Sequence, residues 1–334
     1  MFAFKGQKPV AARLYHEKKT SGTNDSLHQG RRFSLTGKKE NILRASILES
    51  RWMMSQITLR DVYAASGNAI NVGASELHTG RVDNGRFRKQ VNINGTEFWL
   101  SETDTCAKMS YSEMADIYNL GIQGDFNKTM DEFFSQAYSL DMLRIGFNGK
   151  SIADTTDPVT NKKGEDVNIG WHALAKEHAN GKQIISKSLS LGESGDWDNI
   201  DLLANHLITD IIAEPFRDDP RLVVLIGAEL AAHQRLRLFN AADLPANVSA
   251  AQMATSSIAG RFALIPPFMP GKRLAVTTLS NLHIYTQANT RLFRAEFDED
   301  NCEYVHSYLR NEGYALGNPE LYAAVDESAM TLLY

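Results

Sequence analysis

Cysteine is nearly absent from this 334-residue chain: Cys106 and Cys302 are the two it has. A disulfide framework is therefore excluded, and without a CxxC pair so is a thiolate zinc site. Each is expected to be a small buried hydrophobe. Long apolar runs are missing too. No stretch approaches the roughly 18 residues of a membrane span. Met1-Phe2-Ala3-Phe4-Lys5 has no apolar centre long enough for a signal peptide. A soluble protein of a reducing, cytoplasmic compartment is expected, with no membrane partner.

The usual catalytic signatures are also lacking. There is no Gly-Lys-Ser/Thr phosphate loop and no Gly-x-Gly-x-x-Gly. Gly192-Glu193-Ser194-Gly195 falls one residue short of a nucleophile elbow and reads as a turn, with Asp196 capping the next helix. His172 and His178 stand six apart on a helix, so they do not share a face, and are expected to be solvated. Asp298, Glu299, Asp300 and Glu303 lack calcium-loop spacing and read as a solvated turn. No catalytic residue, cofactor or metal ligand is expected.

What the chain does have is unevenly spread charge. Residues 1–39 hold nine basic groups, Lys5, Lys8, Arg13, Lys18, Lys19, Arg31, Arg32, Lys38 and Lys39, against Glu17 and Asp25, which is +7. The remaining 26 basic and 38 acidic groups leave −12, for a total of −5. A basic arm on an acidic body suits contact with a polyanion or an acidic partner surface. Residues 1–32 are polar and aperiodic, an arm without a core of its own.

Periodicity divides the rest. Residues 38–56 read as a helix and Ile57 to Tyr63 as a short strand. Asp83-Asn84-Gly85 and Asn94-Gly95 signal type I′ turns between strands at Val72 to His78, Arg86 to Ile93 and Thr96 to Ser101. The first hairpin offers few large apolar residues, so it either lies on the body or reaches a neighbouring molecule. From Ser112, an N-cap, to a stop at Phe147-Asn148-Gly149, apolar residues recur at Met114, Ile117, Tyr118, Ile122, Phe126, Met130, Phe134, Tyr138 and Leu143. That is one helical face, roughly 50 Å long if continuous. Gly121 and Gly124 are the places to bend or interrupt it. Ile152 to Asp166 is a turn-rich insert. A helix from Ile169, a strand from Gln183 to Leu191, a helix from Trp197 to Ala213, a buried strand from Arg221 to Gly227 and a helix from Ala228 to Phe239 follow. Strands are then expected at 262–265, 273–278, 282–286, 292–297 and 303–309. The second half is a compact α+β domain. A spine helix, a polar hairpin and a basic arm without a catalytic constellation suit a subunit of a large assembly.

Several runs resemble one family. Tyr138-Ser139-Leu140-Asp141-Met142-Leu143-Arg144-Ile145-Gly146-Phe147-Asn148-Gly149, followed by Asp166-Val167-Asn168-Ile169-Gly170-Trp171, is similar to the major capsid protein of peduovirus-type tailed phages. So are Gly195-Asp196-Trp197-Asp198-Asn199-Ile200-Asp201-Leu202-Leu203, the stretch from Glu214-Pro215 through Asp219-Pro220-Arg221-Leu222-Val223-Val224-Leu225-Ile226-Gly227, and Leu279-Ser280-Asn281-Leu282-His283-Ile284-Tyr285. The resemblance is collinear over roughly residues 33–325, strong from 138 onward and weak in the hairpin region. It implies the Hong Kong 97-type capsid fold, an α+β architecture. Its parts would be an N-terminal arm with a short helix (1–56), a peripheral domain (57–196) with an extended loop (about 72–104) and spine helix (about 112–147), an axial domain (197–325) and a C-terminal tail (326–334). It also implies self-assembly into hexamers and pentamers of an icosahedral shell around double-stranded DNA, in the host bacterial cytoplasm. A scaffolding and protease protein and a portal would be partners, with processing near Arg31-Arg32-Phe33. Arg81, Arg86, Arg88 and Lys89 would sit near the loop tip and meet acidic groups of an adjacent subunit. The basic arm would lie on the inner face, near DNA. The alternatives are a nanocompartment shell of the same fold and a soluble α+β enzyme with a deep titratable pocket.

Overall fold

The computed structural model describes residues 12, 13, 16, 17, 52–69, 77, 79–89, 96–120, 123–240 and 257–333. In chain order the elements are α1 (Trp52–Gln56), β1 (Thr58–Val62), β2 (Ser66–Asn68), β3 (Glu97–Trp99), β4 (Ser101–Ser110), α2 (Tyr111–Leu120), α3 (Gln123–Asn148), α4 (Trp171–Glu177), β5 (Ile184–Ile185), β6 (Leu189–Leu191), α5 (Ile200–His206), β7 (Val223–Ile226), α6 (Ala228–Asn240), β8 (Ser257–Ile258), β9 (Arg261–Leu264), β10 (Leu274–Thr277), β11 (Leu282–Gln287), β12 (Leu292–Asp298), β13 (Glu303–Leu316), β14 (Ala323–Val325) and β15 (Met330–Leu332).

The 14-residue β13 organises the first sheet. One edge takes β12 and then β11, both antiparallel, and the other takes β4; β1 adds parallel to β11. The spine helix α3 lies against this sheet. Met130, Phe134, Tyr138 and Met142 recur every fourth residue, so one stripe of α3 is buried with Phe293, Tyr304, Tyr308 and Tyr314 of the sheet. Phe134 stacks on His306 with ring centroids 4.2 Å apart.

The second sheet has six strands in the order β5-β14-β10-β7-β9-β8. Alternation along its strands feeds two cores. Val224, Ile226, Leu274, Val276, Ala323 and Val325 pack with Leu203 and Leu207 on one side. Leu225, Ala275 and Ala324 join the spine-helix core on the other. Burial on both faces is why residues 222–226 read as an unbroken apolar run.

Several expectations need correction. The spine is described as two helical segments, Tyr111–Leu120 and Gln123–Asn148; residues 121 and 122 between them, with Gly121, lie outside the described residues. The longer segment, 26 residues, spans about 39 Å at 1.5 Å per residue. Its predecessor is capped by Ser110 rather than Ser112. Ser110 Oγ accepts from the Glu113 amide at 3.3 Å, and Glu113 Oε2 accepts from the Ser110 amide at 2.9 Å. That reciprocal pair is a capping box, with the acid three residues after the hydroxyl. The next helix starts at Ile200, not Trp197. Asn199 caps it, accepting from the Leu202 amide at 2.8 Å, because Asp196 is already engaged with the amide and hydroxyl of Ser190.

The hairpin region also differs. Residues 86–89 carry no strand, and β4 continues into the body sheet where the extended loop was expected to run on to 104. The loop is rooted instead where β2 pairs antiparallel with β3, and the Ala69 amide donates to the Thr96 carbonyl at 2.9 Å. At the tip only Gly85 takes a left-handed φ (92°), so Asn84-Gly85 is not a type I′ turn, which needs positive φ at both residues. Of the expected strands, 72–76, 78 and 90–93 fall outside the described residues, as do residues 38–51 of the expected first helix.

His172 is buried rather than solvated, because α4 packs under Tyr322 and beside Asp326. Cys106 and Cys302 are both exposed. Cys106 points outward from β4, and Cys302 occupies a left-handed turn position (φ 56°). The residues expected to form a C-terminal tail include β15, which pairs parallel with β6.

Candidate functional site

The runs carrying the family resemblance meet where α3 ends. Gly146, Gly149 and Gly170 are needed there for close approach. A Cβ on Gly146 would lie 2.4 Å from the Trp171 ring, one on Gly149 would lie 2.1 Å from the Asn168 carbonyl, and one on Gly170 would lie 2.5 Å from the Gly146 carbonyl. Trp171 fills the gap this leaves. Its Nε1 donates to the His283 carbonyl at 3.0 Å, and its ring packs edge-on against Phe147 and Tyr314. Asn168 Nδ2 donates to the Glu312 carbonyl and to Ser101 Oγ, joining the insert to the first sheet.

The helix end is tied to the second sheet as well. Asn148 Nδ2 donates to the carbonyls of Arg144 and Phe268, each at 2.9 Å. Arg273, 3% exposed, donates from Nη1 to the Phe147 carbonyl and pairs with Glu327 at 2.7 Å. A guanidinium at a helix C-terminus satisfies an orphan carbonyl and complements the negative end of the helix dipole. Behind this joint lies a fully buried ion pair, Arg310 Nε to Glu312 Oε2 at 2.6 Å, with Thr105 and Tyr314 closing the network. These groups position one another through hydrogen bonds and ion pairs. They brace two sheets and a helix as one frame. Sequence reading missed Arg273 and Arg310, because a lone arginine in an apolar strand names no partner.

The predicted surface residues fall in two groups. Lys5, Lys8, Lys18, Lys19, Arg31, Arg32, Phe33, Lys38 and Lys39, and with them the expected processing region, lie outside the described residues. Arg13 is described: it is exposed and pairs weakly with Glu17 at 3.7 Å. Its neighbour Ala12 is fully buried in the spine-helix core, and His16 Nδ1 lies 3.2 Å from the Tyr304 hydroxyl. Ala12 and His16 thus dock on the body, His16 against Phe297 and Tyr304 at the adjoining ends of β12 and β13. Arg81, Arg86, Arg88 and Lys89 are all exposed, and the bend that carries them closes with the Phe87 ring over Gly80. Arg81, Arg86 and Arg88 have no ion-pair partner among the described residues. Near the loop root, Tyr63 is 82% and Trp99 60% exposed.

This frame, with a spine helix between two sheets and an exposed loop at residues 79–89, is the Hong Kong 97-type capsid fold. The geometry agrees with a chain of the satellite phage P4 procapsid solved with its size determination (Sid) protein: TM-score 0.77, 19% identity, 97% of this chain and 98% of that one covered. By family model the match runs from residue 13 to 328, and the chain belongs to the P2 family of phage major capsid proteins. Among relatives, the capsid proteins of Escherichia phage P2 are 27% identical over 215 residues, 58% of this chain and 59% of that protein. The major capsid protein of Serratia phage KSP20 is 21% identical over 277 residues, 77% of each.

Proposed function

We propose that this chain builds an icosahedral shell of hexamers and pentamers around the double-stranded DNA of a tailed phage or phage satellite, assembling in the bacterial cytoplasm. The observation that carries this reading is the exposed loop at residues 79–89, cationic and rooted by β2 and β3 on a braced body. Such a loop adds nothing to its own core, so its contact area belongs to a neighbouring copy. Arg81, Arg86, Arg88 and Lys89 meet acidic groups of that copy. The basic residues of the arm face the packaged DNA and attract phosphate without regard to sequence. A scaffolding and protease protein acts on the arm near Arg31-Arg32-Phe33, and a portal occupies one vertex. Electron microscopy of the purified chain tests the assembly. Capsomers or closed shells are expected; a monodisperse monomer at high concentration, under every condition tried, overturns it. An arm on the outer surface of a reconstructed shell would remove DNA from the proposal.

A further inference from the structure

His172, which the braced frame does not use, stands in an unusual setting. It is 7% exposed, and its Nε2 has no hydrogen-bond partner among the described residues. That nitrogen faces Asp326 Oδ2 at 4.0 Å. Ligand atoms of His172, Asp326 and Glu327 all lie within 4.8 Å of one another. On the opposite side of the ring, Nδ1 lies 3.4 Å from the Tyr322 hydroxyl. An imidazole with a free inner nitrogen, a fixed outer one and two carboxylates in front of it is the arrangement of a metal ligand set with its supporting partner.

We propose that His172, Asp326 and Glu327 bind one divalent cation of the zinc class. One nitrogen and two oxygens suit a borderline transition ion, and three ligands fall short of what calcium takes. A tetrahedral cation about 2.0–2.2 Å from each ligand holds those atoms roughly 3.3–3.6 Å apart. The His172–Asp326 pair stands at 4.0 Å and needs a closure of about 0.5 Å, and ligand atoms as far apart as 4.8 Å need one of up to about 1.5 Å. The charges around the site determine how tightly it binds. Arg273, buried beside Glu327, stays in place on the Phe147 carbonyl. Lys176 holds Asp326 Oδ2 at 2.6 Å, but its side chain is 52% exposed and can swing into solvent. The ion therefore displaces Lys176 and competes with it. Glu327 also lines a surface cleft of ≈ 250 Å³ with Asn148, Lys272 and Arg273, a route for the ion from solvent. An ion there joins α4 to the turn before β15 in place of the Lys176–Asp326 bond.

The test uses the full chain, stripped with EDTA, dialysed and titrated with Co²⁺ and Zn²⁺. One equivalent is expected, with the absorption of nitrogen- and oxygen-ligated Co²⁺ and no thiolate band. His172→Gln and Asp326→Asn should each weaken binding at least about tenfold, the low end of what removing even an outer partner of a ligand does. Lys176→Ala changes an exposed, non-ligating residue and keeps the fold; it should tighten binding several-fold. A Cys106→Ser, Cys302→Ser double variant should bind as the parent does. Absence of stoichiometric binding, full affinity in a folded His172→Gln protein, or unchanged affinity in Lys176→Ala overturns the assignment.

Discussion

Replacing Gly146 with alanine sets two known effects against each other. Gly146 lies within the last turns of α3, and alanine is favoured over glycine inside a helix by about 1 kcal/mol. On helix propensity alone the variant is stabilised. The structure opposes this, because the new Cβ would stand 2.4 Å from the Trp171 ring. Carbon atoms rest about 3.5–4.0 Å apart, so the ring must retreat by more than about 1 Å. It has nowhere to go. Trp171 is 1% exposed, held by its bond to the His283 carbonyl and wedged between Phe147 and Tyr314. Overpacking of this kind costs about 1–3 kcal/mol, and this site belongs at the upper end. The net expectation is a loss of about 2 kcal/mol, read as a lower urea midpoint for the unassembled chain. A Gly146→Ala, Trp171→Leu double variant should lose less than the two single changes summed, since the leucine makes room. A Gly146→Ala protein as stable as the parent, or more stable, refutes the claim that close approach fixes this glycine.

Acid should weaken the fold through its buried histidines. Burial first, and the nearby Arg60 charge second, push His283 down from 6.5 to about 4, and burial lowers His172 as well. The unfolded chain takes up these protons near pH 6.5 while the folded one refuses them, so stability is undiminished above that pH and falls as pH drops from 6.5 toward 4. At about 1.36 kcal/mol per pH unit the His283 gap alone is worth ~3 kcal/mol. Urea midpoints across that window check it, and a His283→Gln variant with the same acid slope would count against it. Arg310→Met strands Glu312 in the core and should cost about 3–5 kcal/mol, whereas adding Glu312→Leu should recover most of that, since removing both charges is tolerated where removing one is not; equal unfolding midpoints for the single and double variants would contradict this. Reversing the charge of Arg81, Arg86, Arg88 and Lys89 together should leave the circular dichroism of the chain unchanged and abolish shells in electron micrographs. Normal shells from that variant would show that the loop carries no assembly contact.

The sequence by itself determined the elements whose reasons are local. Four-residue steps such as Met130, Phe134, Tyr138 and Met142 mark a helix face in any setting, and the apolar run at 222–226 marks a strand covered on both sides. The turn at Asp298 to Cys302 and the irregular insert after α3 were legible for the same reason. The frame that holds these parts was written as short runs of glycine, asparagine and tryptophan, but not as contacts. Trp171 bonds to a carbonyl 112 residues away, and Asn168 to one 144 residues away. Only the tertiary structure decided that His172 is buried, that Cys106 and Cys302 are not, and that the last residues return as β15. The physical reason is the same in each case. Burial and polar pairing depend on what the rest of the chain brings alongside a residue, and residue type and spacing carry no record of that neighbour.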